Sequence, residues 1–160
     1  MQLTIREYRE SDRKELENII LTAENFGEPF LDSEFQRINI YQTVPELGVT
    51  YVVEEAKTKS IVGYICLEFR WRSLYIQSLV THQQYLREGI GTRLVKKAIA
   101  IGEKHPTINV VRVDTGDFMD YAQQFYLSCG FQICGFVAHD MSWFNHQVHF
   151  VYPLKEVDKE

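Results

Sequence analysis

Hydrophobic and polar residues along the chain follow two different spacings, and each change of spacing marks the boundary of a predicted element. Apolar side chains at alternate positions, or in dense β-branched runs, predict strands over residues 2–8, 48–55, 61–69, 74–81, 108–114, 131–139 and 146–153. Apolar side chains three and four residues apart predict helices after Asp12, from about Asp32 to Thr43, after the glycines at 89 and 91, and from Asp120 to Ser128.

Turn and capping residues support these boundaries. Ser11 and Asp12 are N-cap candidates for the first helix, and residues 25–29 are expected to break it before the second. Pro106 ends the third helix, and Gly130 suits a left-handed cap after the fourth. The order β-α-α-β-β-β-α-β-α-β-β predicts an α/β (α+β) layer structure. Its sheet is mixed, mostly antiparallel before the glycines and parallel in the β-α-β unit around them.

Length and charge narrow the classes of function. A chain of 160 residues predicts a single domain over residues 1–155, followed by a charged tail over residues 156–160. The net charge of -5 argues against nucleic acid as the main ligand, because binding to phosphate backbones needs a basic face. No apolar run approaches the roughly 20 residues of a membrane span. The first residues are charged throughout, unlike a signal or transit peptide, so we expect a cytoplasmic protein without a membrane partner.

Cysteine and histidine spacing argues against a disulfide scaffold and against a metal site. Cys66, Cys129 and Cys134 are odd in number and form no C-x-x-C pair, so we expect buried, reduced thiols. His146 and His149 lie three residues apart in an alternating pattern, which places them on opposite faces of a strand. Two such side chains cannot chelate one ion, and no metal is expected.

The stretch LREGIGTRLVKKA, residues 86–98, places two glycines one residue apart at the start of a helix. Unpaired amides and the helix dipole favour an anion there, which predicts a phosphate cradle; the alternative is an ordinary turn eased by glycine. A Walker A loop is excluded because no G-K-[ST] follows. A dinucleotide-binding fold is an alternative, in which Asp114 would bind the ribose. Two features argue against it: Leu94 occupies the position of the third glycine, and the segment HQQYLRE separates the strand from the glycines.

Two blocks of sequence resemble the GNAT superfamily of acyl-CoA-dependent N-acetyltransferases. The segment YIQSLVTHQQYLREGIGTRL is similar to the family's strand, [Q/R]-x-x-G-x-[G/A] loop and helix. The segment INVVRVD followed by AQQFYLSCGF is similar to its next block, with Phe125, Tyr126, Gly130 and Phe131 at the hallmark positions. The segments FYLSCGF and RWRSL also resemble streptothricin and aminoglycoside-type acetyltransferases. The resemblance implies a GNAT-like fold with helices on both faces of the sheet, and acetyl-CoA as cosubstrate.

The resemblance also implies which residues bind the cofactor. The pyrophosphate is expected on the loop amides, and the pantetheine arm is expected to pair with strand backbone like an added strand. Two residues depart from the family pattern: Leu86 replaces Gln or Arg, and Met119 replaces an Asn that many members have. Arg87 and Asp117 are candidates to compensate. The predicted cofactor-binding residues are Leu79, Val80, Thr81, Leu86, Arg87, Glu88, Gly89, Ile90, Gly91 and Thr92.

The resemblance also implies which residues take part in catalysis and in acceptor binding. Tyr126 matches the tyrosine that protonates the departing sulfur in the family, and a backbone amide near residues 79–81 is expected to stabilise the oxyanion. The strand has no acidic residue where many relatives carry the base, so Glu68 and Glu28 are candidates for the base or for acceptor binding. The segment ENFGEPFLDSE, residues 24–34, reads as an acidic, aromatic loop, and Phe30 within it is a further acceptor-binding candidate.

The predicted function is transfer of an acetyl group from acetyl-CoA to a primary amine of a cationic small molecule. A polyamine or a streptothricin-like compound fits, and a protein lysine or N-terminus is a further possible acceptor. The alternatives are a non-catalytic CoA-binding sensor and a partner-binding module of the same fold. A monomer or a homodimer is expected.

Overall fold

The predicted element order is confirmed in a computed structural model of the chain, which describes residues 1–24, 26–140 and 145–154. Short 3-10 turns precede α1 at Glu10–Asp12 and α3 at Gln83–Tyr85. The tail predicted over residues 156–160 lies outside the described residues. The strands and helices, in chain order, are β1 Leu3–Glu7, α1 Arg13–Thr22, α2 Glu28–Thr43, β2 Gly48–Glu55, β3 Ile61–Arg70, β4 Ser73–Thr81, α3 Ile90–Lys104, β5 Val110–Gly116, α4 Asp120–Ser128, β6 Gln132–Val137 and β7 Gln147–Pro153.

The strands form a seven-stranded mixed sheet in the order β1-β2-β3-β4-β5-β7-β6. The β1–β2, β2–β3, β5–β7 and β6–β7 pairs are antiparallel, whereas β4 and β5 are parallel. The parallel pair requires a crossover, and α3 provides it between the two strands. The mixed sheet and the parallel unit around the glycines agree with the sequence analysis.

The chain divides into two compact units. One contains Met1–Phe69 and Gln77–Lys97, and the other contains Arg70–Ile76 and Ala98–Glu160. The single domain expected over residues 1–155 stays a prediction. The two units are described separately below.

In the first unit, helices cover both faces of the sheet. Side chains of α1 and α2 form a core with β2–β4, and this core includes Leu16, Ile38 and Tyr64, all with no exposed surface. The opposite face of β3 meets the start of α3, because a Cβ at Gly63 would lie 2.8 Å from Ile90 Cγ2. Each helix therefore buries one apolar stripe, as the periodicity of its apolar residues predicted.

In the second unit, aromatic rings join α4 to the last strands. The Tyr126 ring lies 5.5 Å from Phe131 and 6.1 Å from Phe150, measured between ring centroids. Gly130 follows the helix with φ of 92°, the left-handed conformation predicted for its cap. Phe131 is stacked in turn on Tyr152 at 5.5 Å.

The start of α1 differs from the capping prediction. Asp12 immediately precedes the helix, but its side chain makes no capping bond. Its carboxylate instead accepts hydrogen bonds from the Arg6 guanidinium at 2.8 and 2.9 Å and from the Arg9 amide at 2.8 Å. Burial opposes ionisation of Asp12, but the bonds from Arg6 and Arg9 outweigh it and hold its pKa below the ordinary range.

The second helix begins earlier than the sequence indicated, at Glu28 instead of about Asp32. Pro29 was expected to help break the chain, yet it lies in the first turn of α2. A proline is tolerated there because the first amides of a helix have no intrahelical acceptor. Gly27, with φ of 116°, adopts a backbone conformation that other residues rarely adopt. Asn25, part of the expected break, lies outside the described residues.

The cysteine prediction is only partly correct. Cys66 is buried and Cys129 is half-buried, but Cys134 on β6 is exposed. β6 lies at one edge of the sheet, and most of its residues are exposed. His146 and His149 have different partners: the ring of His146 accepts from the His139 amide at 2.8 Å, while His149 lies against Asp114.

Neither a membrane-spanning helix nor a metal-binding cluster is found among the described residues. None of the helices there is both long enough and apolar enough to cross a membrane. Within the same residues, no group of three or more His, Cys, Asp or Glu side chains is arranged to hold a metal ion.

Candidate functional site

The glycine loop connects the end of β4 to the start of α3. The His82 amide donates to the Val62 carbonyl at 2.9 Å, and its ring accepts from the Gln84 amide at 3.2 Å, which shapes the turn after the strand. Two residues of the loop have left-handed backbone conformations, Arg87 with φ of 66° and Gly89 with φ of 77°. The arginine is unusual there, because a non-glycine residue in this conformation costs about 1 kcal/mol. Such strain is typical of functional sites.

The start of α3 has the chemistry of an anion site. The Gly89 carbonyl accepts the first intrahelical bond, from the Arg93 amide at 3.1 Å. The amides of Ile90, Gly91 and Thr92 therefore precede the hydrogen-bond ladder of the helix and have no acceptor within it. Apart from its chain neighbours, no heavy atom lies within 4 Å of the position that a Cβ would occupy on Gly89, so the space beside this glycine is open. The helix dipole favours negative charge at the same place.

The predicted cofactor-binding residues fall into three groups. Those of the loop are exposed at Leu86, Arg87, Glu88 and Gly89, and half-buried at Gly91 and Thr92. Val80 and Ile90 are buried. Leu79 and Thr81 are half-buried.

β4 continues for several residues after its last pair with β5. The register with β5 runs from Ser73–Val110 to Ile76–Val113, and β4 continues to Thr81. Gln77 is the first residue of β4 beyond these pairs.

Tyr126 is the more buried member of the predicted aromatic pair. Only 6% of its surface is exposed, whereas Phe125, 5.1 Å away between ring centroids, is half-buried. Burial raises the pKa of the Tyr126 hydroxyl well above its ordinary value, since the phenolate would be poorly solvated. The hydroxyl is therefore protonated at neutral pH, as a proton donor must be. Its catalytic role stays a prediction.

Glu68 is held by two donors from different elements. The Tyr41 hydroxyl on α2 donates to Glu68 Oε2 at 2.8 Å, and Gln77 Nε2 on β4 donates to the same oxygen at 3.1 Å. Burial raises the pKa of Tyr41 well above its ordinary value, and the bond to Glu68 adds to this. The tyrosine therefore acts as a hydrogen-bond donor and not as an anion.

A cavity lies beside Glu68, between α2 and the end of β3. Its volume is about 350 Å³, within the range of small-molecule sites. Its walls combine apolar side chains with several polar groups. The lining residues are Ser33, Gln36, Arg37, Ile40, Tyr41, Leu47, Glu68 and Phe69.

Behind the cavity lies a buried carboxylate that the sequence analysis did not identify. Glu34 has no exposed surface, and it forms an ion pair with Arg37 one helical turn later. It also accepts from the Ser78 hydroxyl and from the Cys66 thiol, the latter at 3.4 Å. Burial raises the pKa of the Cys66 thiol, and the nearby Glu34 charge raises it further. The three-residue spacing of Glu34 and Arg37 is the signal in the sequence that indicates this pair.

The other acceptor candidates are not arranged as an acidic, aromatic loop, and that interpretation is wrong for residues 28–34. These residues belong to α2, where Glu28 is exposed in the first turn. Phe30 packs against the core of the first unit, with its ring 4.7 Å from Phe26. The structure brings neither of them to the Glu68 cavity.

A second charged cluster, in the second unit, was also missed. His149 Nδ1 lies 2.8 Å from Asp114 Oδ1 and 3.4 Å from the Arg112 guanidinium. Burial raises the pKa of Asp114, and the opposing charge of His149 reduces that effect. Asp114 was the ribose partner required by the dinucleotide alternative, and here it lies against a histidine instead. Asp117 accepts from the His146 amide at 3.1 Å.

Residues 13–131 match the family model described as the acetyltransferase (GNAT) family. A search among curated proteins returns no match. Several hundred solved chains share the fold, and three of them illustrate its range.

A spermidine N-acetyltransferase chimera of Vibrio cholerae SpeG and hSSAT matches with a TM-score of 0.81 at 18% identity, covering 96% of both chains. The ribosomal-protein alanine N-acetyltransferase of Escherichia coli matches with a TM-score of 0.80 at 13% identity, covering 99% of this chain and 98% of that one. A protein assigned as a streptothricin acetyltransferase from Bacillus anthracis, solved with acetyl coenzyme A, matches with a TM-score of 0.72 at 18% identity, covering 95% and 99%.

Proposed function

The chain belongs to the GNAT acetyltransferase family, and from this premise we propose that it transfers an acetyl group from acetyl-CoA to a primary amine of a cationic small molecule. The observation that carries the proposal is the open start of α3, where three amides without intrahelical acceptors lie beside a glycine with positive φ. A pyrophosphate is the ligand such a site suits.

Acetyl-CoA fits the residues around this loop. The amides of residues 90–92 would bind the pyrophosphate, and Thr92 would add its hydroxyl. The backbone of Leu79 and Thr81, beyond the last residue that β4 pairs with β5, would pair with the amides of the pantetheine arm. That a structural neighbour was solved with acetyl coenzyme A supports this choice of cosubstrate.

Acetyl transfer requires a neutral amine, a stabilised oxyanion and a protonated leaving group. Bound acetyl-CoA supplies the acetyl thioester. A backbone amide within residues 79–81 would donate to the carbonyl oxygen as negative charge develops on it. Tyr126, which burial keeps protonated at neutral pH, would give its proton to the departing sulfur as the C–S bond breaks. The proton that the attacking amine loses as the amide forms would then restore the tyrosine hydroxyl.

A cationic small molecule is favoured over a protein as acceptor. Neighbours of this fold include enzymes named for spermidine and for a ribosomal protein, so the fold itself does not distinguish a small-molecule acceptor from a protein acceptor. The cavity beside Glu68 is of small-molecule size and contains a carboxylate, which supports a compact, positively charged amine.

The experiment is a screen of acetyl-CoA with a panel of amines, detecting the released thiol. The panel contains polyamines, streptothricin-like and aminoglycoside amines, and peptides with free lysine or N-terminal amines. We expect thiol release above the hydrolysis background with small cationic amines. Binding of acetyl-CoA without transfer to any amine would favour a CoA-binding sensor, and absence of CoA binding would favour a partner-binding module.

A further inference from the structure

We propose that the buried Glu34 is a positioning residue for acetyl transfer: through Ser78 it fixes the part of β4 whose backbone would stabilise the oxyanion. The inference rests on the proposed function, because that function takes the oxyanion donor from residues 79–81. It goes beyond the sequence-based candidates, since neither Glu34 nor Ser78 is among them.

The part of β4 that the proposed reaction uses is paired with fewer strands than the rest. The parallel register with β5 ends at Ile76–Val113, and within the described residues it includes none of residues 77–81. The other neighbour of β4 in the sheet is β3. A free strand edge allows a pantetheine arm to pair there, but it also leaves the strand without the hydrogen bonds of one neighbour. The position of residues 77–81 therefore depends more strongly on their other contacts.

Ser78 makes such a contact, because its side chain is bound to α2. Its hydroxyl donates to Glu34 Oε1, across 44 positions of the chain. Both residues are buried, with no exposed surface on Glu34 and 5% on Ser78. Water competes poorly for a hydrogen bond in such surroundings, and a bond to a charged group is stronger than a bond between neutral groups. The bond therefore holds Ser78, and the backbone amide that follows it, in a fixed position relative to the helix.

Glu34 is itself held by partners on two other elements. Its Oε2 forms the ion pair with Arg37 on α2, and its Oε1 also accepts from the Cys66 thiol on β3 at 3.4 Å. The Thr50 hydroxyl on β2 lies 3.4 Å from the same sulfur. Burial of a charge is costly unless it is paired and hydrogen bonded, and a satisfied network of this kind has one well-defined arrangement. Glu34 is therefore a rigid anchor for Ser78.

Loss of this anchor is expected to affect the transition state more than the binding of acetyl-CoA. The carbonyl oxygen gains negative charge as the amine attacks, so a misplaced amide loses most of its effect at that stage. The pyrophosphate and the pantetheine arm would be bound by other backbone groups as well. The inference therefore predicts a lower kcat with little change in the Kd for acetyl-CoA.

The test compares Ser78→Ala with Cys66→Ala, because each removes one donor to Glu34 Oε1 and only the serine lies on β4. Each variant leaves Glu34 with Arg37 and one further donor, so both are expected to fold, which urea unfolding checks. With an amine that the wild type acetylates, we expect kcat to fall about tenfold in Ser78→Ala and to stay close to the wild-type value in Cys66→Ala. Ser78→Cys, whose thiol can donate to the same oxygen, is expected to recover part of the loss.

Infrared spectroscopy of acetyl-CoA, isotopically labelled at the thioester carbonyl, gives a readout that needs no acceptor amine. A hydrogen bond to this carbonyl lowers its stretching frequency. We expect a lower frequency for the cofactor bound to the wild type or to Cys66→Ala than for the free cofactor, and a smaller decrease with Ser78→Ala. No decrease with the wild type, or equal effects of the two alanine variants on frequency and kcat, would overturn the inference. Thiol release with amines would then still support the proposed function, whose failure is seen separately as absence of transfer by the wild type.

Discussion

Gly89 and Gly91 are one residue apart in the sequence, yet each meets a different physical need. Gly89 has φ of 77°, a conformation that disfavours any side chain. Gly91 is the second residue of α3, where helical geometry tolerates other residues, so conformation does not explain it. We expect a side chain at Gly91 to obstruct the approach of a ligand to the first amides of the helix.

Gly91→Val tests this interpretation. The branched side chain is expected to weaken acetyl-CoA binding at least about tenfold, because several charge-assisted bonds at the helix start are lost together. The stability of the fold is expected to change little, since valine is no worse than glycine in a helix. Calorimetric titration measures the affinity for acetyl-CoA, and urea unfolding measures the stability of the fold. Glu103→Val on the same helix is the matched control. Normal acetyl-CoA binding by Gly91→Val would contradict the interpretation and would favour an ordinary turn eased by glycine.

Tyr126→Phe isolates the hydroxyl from the ring packing. We expect turnover to fall by about 10², the low end for a positioned acid, because a thiol is already a tolerable leaving group. Affinity for acetyl-CoA is expected to change little. Tyr152→Phe, which removes a hydroxyl from the neighbouring aromatic stack, is expected to retain turnover.

The pH profile gives a second readout for Tyr126. Burial raises its folded pKa, so the hydroxyl stays protonated until the pH exceeds that raised value. Wild-type turnover is therefore expected to show no alkaline decline from this group below about pH 10. Unchanged turnover in a well-folded Tyr126→Phe variant would remove the tyrosine from the mechanism and leave water as the proton source.

Among the elements, β3 and α3 approach closely because of one residue without a side chain. A Cβ on Gly63 would lie 2.8 Å from Ile90 Cγ2 and 3.1 Å from the Val80 carbonyl oxygen. Ile90 is the first residue of α3, so this contact lies at the start of the helix, beside the glycine loop. Packing between β3 and α3 is thus linked to the candidate cofactor site.

Gly63→Ala is expected to lower the free energy of unfolding by about 1–3 kcal/mol, as overpacking does, and to weaken acetyl-CoA binding. Ile90→Leu removes the branch methyl that the new Cβ meets, so the double variant is expected to recover part of the loss. The interaction between the two changes is expected to exceed about 0.5 kcal/mol in a double-mutant cycle by urea unfolding. Gly135→Ala is the control, because its Cβ would meet nothing closer than 3.6 Å. Simple additivity of the two changes would show that the contact does not set the helix position.

For the whole molecule, the proposed cofactor should couple to folding. A ligand that binds only the folded state stabilises it by about 2.7 kcal/mol at a hundred times its Kd. For a chain of this size that corresponds to a rise in Tm of roughly 5–10 °C. We expect this rise with acetyl-CoA and a much smaller one with NAD or ATP. Differential scanning fluorimetry at matched concentrations measures it, and a larger shift with NAD would return support to the dinucleotide alternative.

Much of the fold was predictable because local patterns determine it. Helical and alternating spacings, the proline after α3 and the glycine after α4 act within a few residues, so the element order followed from the chain directly. The glycine loop was predictable for the same reason, since its amides and its left-handed residue are contiguous. The boundary of α2 was missed because a proline is read as a helix breaker, although it is accepted in a first turn.

The roles of the acidic side chains were decided only by the tertiary structure. Glu34 and Ser78 are 44 residues apart, and Tyr41 and Glu68 are 27 apart, yet each pair is hydrogen bonded. Local pattern could not distinguish the buried Glu34 from the exposed Glu28, nor foresee that Asp12 would bind Arg6 instead of capping its helix. The sequence by itself determined the elements, their order and the glycine loop with its left-handed residue. Which carboxylate is neutralised and which faces a cavity depends on partners that only the folded chain brings together, since burial and pairing control the energy of a charge.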